Sequence, residues 1–489
     1  TTLFRSIVYG PDGEQMVYQP IERWQPHWRG YRGGQTHPLW IIDLDDYGVT
    51  EIPFEGGIDT RPFWVGDTVY FVSDRTDRVR NVHAYTVGGD AVQALTNHTE
   101  FDVKSMGATE GTLVYEQAGR LHRLDLNSGE STALSITVQG DFPWTRPQWK
   151  AVGDDIMSAG LSPSGVRALF SARGDIFTVP AEKGDWRNLS ETPGHADRFP
   201  AWSPDGQQVA WFSDRTGEYE LYIGPQDGQE DPRRIDLPSS FYYRPQWSPD
   251  GSHLLFTDAD RTLWLLEVES GTLEEIDYDL YAHPERSLNP EWSPDGDWIA
   301  YSKRTDSQFR VLHAYSLEED TSLALTDGLA DAVHPTWDKS GEYLYFMAST
   351  DYGLDTGWLD MSSYGRPVER GLYMAVLDAD QPSPLLPESD EEPVEEDEEQ
   401  DETAAAEENG ADVQIDLDGL DQRILSLDVP VDTYNGLYAA TEGTLFFGET
   451  GDDGPGMQIH RYQLSGREAT PYLGGVTSFS VSHNGEKAL

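Results

Sequence analysis

Four tryptophans, Trp202, Trp247, Trp292 and Trp337, follow one another at intervals of 45 residues. They sit in AWSPDGQQVAWFSDRTGEYELYI (from 201), QWSPDGSHLLFTDADRTLWLLEV (from 246), EWSPDGDWIAYSKRTDSQFRVLHAY (from 291) and TWDKSGEYLYFMAST (from 336). A period of this length marks one supersecondary unit repeated side by side. In each copy an aromatic closes a first strand, and Ser-Pro-Asp-Gly then makes a tight turn. Proline presets φ in that turn and glycine accepts φ > 0. An alternating apolar strand follows, then a third such as ELYIG and a fourth, more charged, such as RRIDL. Four strands per 40–45 residues is a β-propeller blade. A β-sandwich does not explain a constant register.

Looser copies lie upstream: residues 60–87, 102–126 and 158–180, the last with LSPSG at the turn, and before them EQMVYQP and PLWIIDLDDYGVTEI. About four blades precede residue 193 and about five follow it. Nine exceed the usual single ring, so two consecutive all-β propellers are expected, 1–192 and 193–489. The chain ends on VTSFSVSHNGEKAL, the opening of another blade, and its first blade is incomplete. A ring left open exposes unpaired edges, so a piece of a longer protein is expected.

Charge restricts the partners. There are 87 acidic against 34 basic residues, a net −53. Residues 388–408 hold 13 acids, and about −40 remains without them. That stretch, within an insertion spanning 387–411, cannot bury enough apolar area to order itself and is expected to be a solvated loop. The field of the remainder repels nucleic acid and anionic membranes. It suits a salt-rich, halophilic cytoplasm, where screening shortens self-repulsion. No cysteine is present, which excludes disulfides and thiolate metal sites. No apolar run reaches the length of a membrane span.

The search for chemistry returns no catalytic set. There is no G-x-S-x-G elbow, no H-E-x-x-H and no Walker loop. DLDGLD, from 416 to 421, lacks the later bidentate Glu of a calcium loop. No catalytic residue, metal site or cofactor is expected. One stretch stands out, HWRGYRGG at 27–34. Its arginines can stack on aromatics and pack a blade edge, or hold peptide carboxylates bidentately. His27, Arg29, Tyr31 and Arg32 are therefore candidate peptide-binding residues.

HWRGYRGG followed by PLWIIDL closely resembles a segment of the amino-terminal propeller of the tricorn protease family. FWVGDTVYFVSDRTDRVRNVHAY, ALTNHTEFDV and TGWLDMSSYGRPVERGLYMAVL follow in the family's order. The resemblance implies a six-bladed and then a seven-bladed ring of WD40/TolB-like blades, both partial here. A PDZ domain and a serine-peptidase core of the S41 type would follow. It also implies oligopeptide substrates filtered by the propellers, a homo-oligomeric parent and a cytoplasmic setting, with export as the alternative. The peptidase's catalytic residues lie outside this chain under that resemblance. A non-enzymatic Tol-like propeller that binds protein partners is the competing expectation.

Overall fold

A computed structural model describes residues 6–21, 29–281, 283, 288–351, 368–387, 411–450 and 456–489. Among them the only helical segments are single 3₁₀ turns such as Pro143–Thr145. The strands form nine four-stranded antiparallel sheets, each a meander in chain order. The chain divides into two units, 1–148 and 149–489.

The first unit holds blades 1 to 3, at residues 7–51, 59–94 and 103–133. The second holds blade 4 (156–188), blade 5 (197–235), blade 6 (242–278), blade 7 (288–324), blade 8 (331–426) and blade 9 (434–476). The division therefore falls before blade 4, not near residue 193 as the sequence reading expected. Blade 4 is committed to the second unit by its core. Leu169 and Ile176 pack with Val209, Trp211 and Tyr222 of blade 5. The repeat does not mark this allegiance, because Leu161 stands where later blades carry the tryptophan, only 41 residues before Trp202.

The terminal segment occupies a seventh position in the second unit. Val481 bridges Ala488. Phe479 packs on Tyr438 and Phe446 of blade 9, with ring centroids 5.3 and 5.4 Å apart. On the other side Asn484 N donates to Pro163 O of blade 4 at 3.3 Å. The hairpin thus closes the ring between blades 9 and 4.

The repeated turn works as its residues dictate. Ser203, Ser248 and Ser293 each accept, through Oγ, the backbone N–H five residues on, all at 2.9 Å. Each hydroxyl donates to the Asp two residues on, Asp205, Asp250 or Asp295. Gly206, Gly251 and Gly296 take φ of 69°, 77° and 83°, a region that penalises any β-carbon. The tryptophans then tie blade to blade. Nε1 of Trp247, Trp292 and Trp337 donates to Ala201 O, Gln246 O and Glu291 O of the preceding blade, at 3.2, 3.4 and 3.2 Å. This reach across the blade gap explains the strict register.

A second repeated device sits between the second and third strands. Phe71–His83, Tyr115–His122, Trp211–Tyr222, Tyr301–His313, Phe346–Tyr373 and Phe447–His460 are directly opposed cross-strand pairs. Their rings stack with centroids 5.0 to 6.2 Å apart. Such pairs are the unit of sheet stabilisation. Four of the twelve histidines are thereby accounted for as blade packing. Burial pushes the His83 imidazole down to about 4.

The acidic insertion belongs to blade 8, between its third strand, Gly371–Val376, and its fourth, Ile424–Ser426. Most of it, 388–410, lies outside the described residues. Where the described chain resumes, Val413 is buried. Its N–H donates to Asp295 and its carbonyl accepts from Trp298 Nε1, at 2.8 and 3.2 Å.

Candidate functional site

The residues singled out in HWRGYRGG are placed as follows. His27 lies outside the described residues. Arg29 donates to Glu100 O at 2.6 Å and pairs with Asp102 at 3.4 Å. Arg32 pairs with Asp74 at 3.2 Å and donates to Asp74 O at 2.7 Å. Asp74 is buried and also accepts Ile58 N at 2.7 Å. Tyr31 lies over Gly33, where a β-carbon would fall 2.2 Å from its hydroxyl. The stretch therefore ties the long loop of blade 1 to the ends of strands in blades 2 and 3. A peptide carboxylate at either arginine would compete with Asp74 or Asp102.

A different set of polar groups converges on the axis of the second unit. The first strands of blades 5 to 8 are each bulged, with register shifts at Arg198/Ala201, Tyr243/Gln246, Leu288/Glu291 and Val333/Thr336. Each bulge carries a positive-φ residue at the same register position, Phe199 at 51°, Arg244 at 48°, Asn289 at 43° and His334 at 53°, and blade 7 adds Leu288 at 63°. The four at the shared position are again 45 apart. Non-glycine residues are strained in this region, and such strain persists where the surrounding fold over-determines it. Gly436 takes the position in blade 9, at φ 78°.

The bulges shape two cavities. One, about 420 Å³, is lined by Arg244, Asn289, His334, Thr336 and Tyr438 among others. The second, about 270 Å³, lies on the turn side. It is walled by Trp202, Trp247, Trp292 and Trp337, the turn prolines, Lys339 and His483. Gln246 and Glu291 line both cavities, so they form the waist between them. Both precede a repeat tryptophan, with Ala201 and Thr336 at the equivalent positions.

The electrostatics are unusual for so acidic a protein. Among the described residues, Glu291 is the only carboxylate lining either cavity. Burial pushes it up to about 7, against the pull of Lys339 and a Thr336 hydrogen bond. His334 is held down to about 4, first by burial and then by the guanidinium groups of Arg310, Arg370 and Arg244, with Asp331 opposing. Arg310 and Arg370 pair with the buried Asp331 at 2.5 and 3.8 Å. His483 is lowered by burial and by Lys339.

The arrangement offers two polar cavities that share Gln246 and Glu291 and present both donors and acceptors. Among the described residues, no three His, Asp or Glu side chains converge as metal ligands, and no helix is long and apolar enough to cross a membrane. Sequence reading missed Arg244, Asn289, Glu291 and His334. The signal was available, because these positions keep the 45-residue register at fixed offsets from the tryptophans, but it requires knowing which strand faces the axis.

Comparison with known proteins agrees with this architecture. Residues 156–489 match the tricorn protease second beta propeller domain, and residues 3–130 the tricorn protease N-terminal beta propeller domain. A tricorn protease homolog of Streptomyces coelicolor is 27% identical, aligning 99% of this chain with 47% of that protein. A homolog from Saccharolobus solfataricus is 24% identical over 95% of this chain and 41% of its own length. The chain thus spans about half the length of the curated relatives it matches. The crystal structure of the tricorn protease superposes over 99% of this chain and 46% of its own, with a TM-score of 0.62 at 16% identity, which shows the shared fold. Matched along both of its units, the chain belongs to the tricorn protease family.

Proposed function

We propose that this chain is the double-propeller region of a longer serine peptidase of the S41 type, and that the axial channel of its second unit conveys oligopeptides to the catalytic core. The waist at Gln246 and Glu291 carries this reading. A channel that only filled space would be closed by apolar side chains, whereas this one holds a destabilised carboxylate and strained polar residues. The parent is taken to be a cytoplasmic homo-oligomer that degrades oligopeptides.

The test compares this chain with its full-length parent on fluorogenic tri- and tetrapeptides in molar KCl. The parent is expected to hydrolyse them and to be blocked by a serine-directed inhibitor. This chain is expected to be inactive, since acyl transfer needs a nucleophile, base and oxyanion donors preorganised together. Inhibitor-sensitive turnover by this chain at the parent's rate, or an inert parent, overturns the proposal.

The net charge of −53 supports a halophilic setting. Its self-repulsion reaches ~30 Å at 0.01 M salt and ~3 Å at 1 M. The unfolding temperature is expected to rise steeply between those salt concentrations. A flat profile removes the halophilic reading.

A further inference from the structure

We propose that the channel waist, Glu291 with Gln246 and Thr336, receives the ammonium group of an oligopeptide, at its amino terminus or on a lysine side chain. This deepens the channel reading and rests on it.

Position is the first argument. Glu291 lines both cavities, so a peptide moving from one to the other passes its carboxyl group. Charge is the second. The other ionisable groups lining the two cavities are Arg244 from blade 6, His334 from blade 8, Tyr438 from blade 9, and Lys339 and His483 on the turn side. None of these is a carboxylate, so the waist is where a cation gains most. Arg244 lines the larger cavity and Lys339 the smaller, and each disfavours a cation on its own side.

Hydrogen-bond inventory is the third. An ammonium group has three donors and no acceptor. Gln246 spends its amide nitrogen on Pro290 O at 3.0 Å, which leaves its amide oxygen as an acceptor. The Thr336 hydroxyl has a single proton to share among the Glu291 carboxylate and the carbonyls of His334 and Leu437, each carbonyl 3.4 Å away, and its oxygen lone pairs remain to accept. With the Glu291 carboxylate, the waist presents three acceptors to three donors. The backbone beneath is fixed, because Trp337 Nε1 holds Glu291 O at 3.2 Å. The larger cavity's 420 Å³ fits a short peptide segment within the ~300–1,000 Å³ of typical small-ligand sites.

The test is direct binding to this chain, by calorimetry at pH 8 in molar KCl. The probes are tetra-alanine, N-acetyl-tetra-alanine, and an N-acetylated tetrapeptide of three alanines and one lysine. At least one ammonium-bearing peptide is expected to bind tenfold or more tightly than N-acetyl-tetra-alanine, and which one does so identifies the source of the ammonium group. Charge-assisted hydrogen bonds support a difference of that size. The preference is expected to vanish in Glu291→Gln and to weaken from pH 8 to pH 5. Equal binding of all three peptides leaves peptide passage standing and overturns the ammonium site. So does a preference that survives Glu291→Gln, or no binding of either ammonium-bearing peptide up to ~10 mM, a concentration that detects even very weak sites.

Discussion

Trp337→Ala is expected to destabilise the second unit by about 4 kcal/mol, near the middle of the range for deleting a buried large aromatic. Trp337 is 2% exposed and packs with Ala300, Leu312, Leu344 and Phe346. Its removal opens a cavity between blades 7 and 8 and deprives Glu291 O of its donor. Trp202 holds the equivalent place in blade 5, but it is only half-buried and its Nε1 finds no partner among the described residues. Trp202→Ala is therefore expected to cost about 2 kcal/mol or less, since mainly packing is lost. With an unfolding entropy near 2.1 cal/mol/K per residue, the larger loss lowers the second unit's calorimetric midpoint by roughly 5–6 °C. Equal shifts for the two variants would show that the inter-blade hydrogen bond and burial do not grade the motif's contribution.

Glu291→Gln is expected to stabilise the second unit in alkaline solution. The carboxyl titrates at about 7 in the folded protein against an ordinary 4.5. Between those values the folded state binds more protons than the unfolded one. The stability associated with protonated Glu291 is therefore present below pH 4.5 and lost as pH rises through 7. The full displacement corresponds to about 3 kcal/mol. Gln keeps the shape and removes the titration. The variant should match the parent near pH 4 and exceed it by about 4 °C in calorimetric midpoint at pH 8–9. His334 titrates with the opposite sign, its depressed value eroding stability as pH falls from 6.5 to 4, but this is common to both proteins and cancels in their difference. A pH-independent gap, or a variant less stable at pH 9, would contradict a partly exposed Glu291 held up by desolvation. A group that costs stability at working pH has been kept for something other than stability.

The blade architecture was legible because its determinants are local. Trp, Ser-Pro-Asp-Gly and the alternating strand each carry their own geometric reason, and the 45-residue period exposes them together. The division between the units was not legible, because blade 4 carries Leu161 in place of the tryptophan and its allegiance is written only in packing against Val209 and Trp211. The fate of Arg29 and Arg32 was also hidden. Their partners, Asp102 and Asp74, lie 73 and 42 residues downstream, and nothing local selects them from so many acids. The roles of His83, His122, His313 and His460 rest on strand register, which sets each opposite an aromatic ring, and nothing in their local sequence marks it. The channel waist was legible in principle, since Gln246 and Glu291 immediately precede repeat tryptophans. Without the bulges, however, their inward direction could not be inferred.

The proposed function requires peptides to pass the waist between Gln246 and Glu291. Gln246→Trp in the longer peptidase proposed above places a large ring where the two cavities meet. Hydrolysis of a fluorogenic tetrapeptide by this variant is the most direct measurement. Its kcat/KM is expected to fall at least ~10-fold, a loss of about 1.4 kcal/mol in reaching the transition state, while the calorimetric midpoint of the second unit stays near that of the unsubstituted protein. A variant that stays folded and cleaves the tetrapeptide at the unsubstituted protein's kcat/KM would contradict passage through the waist.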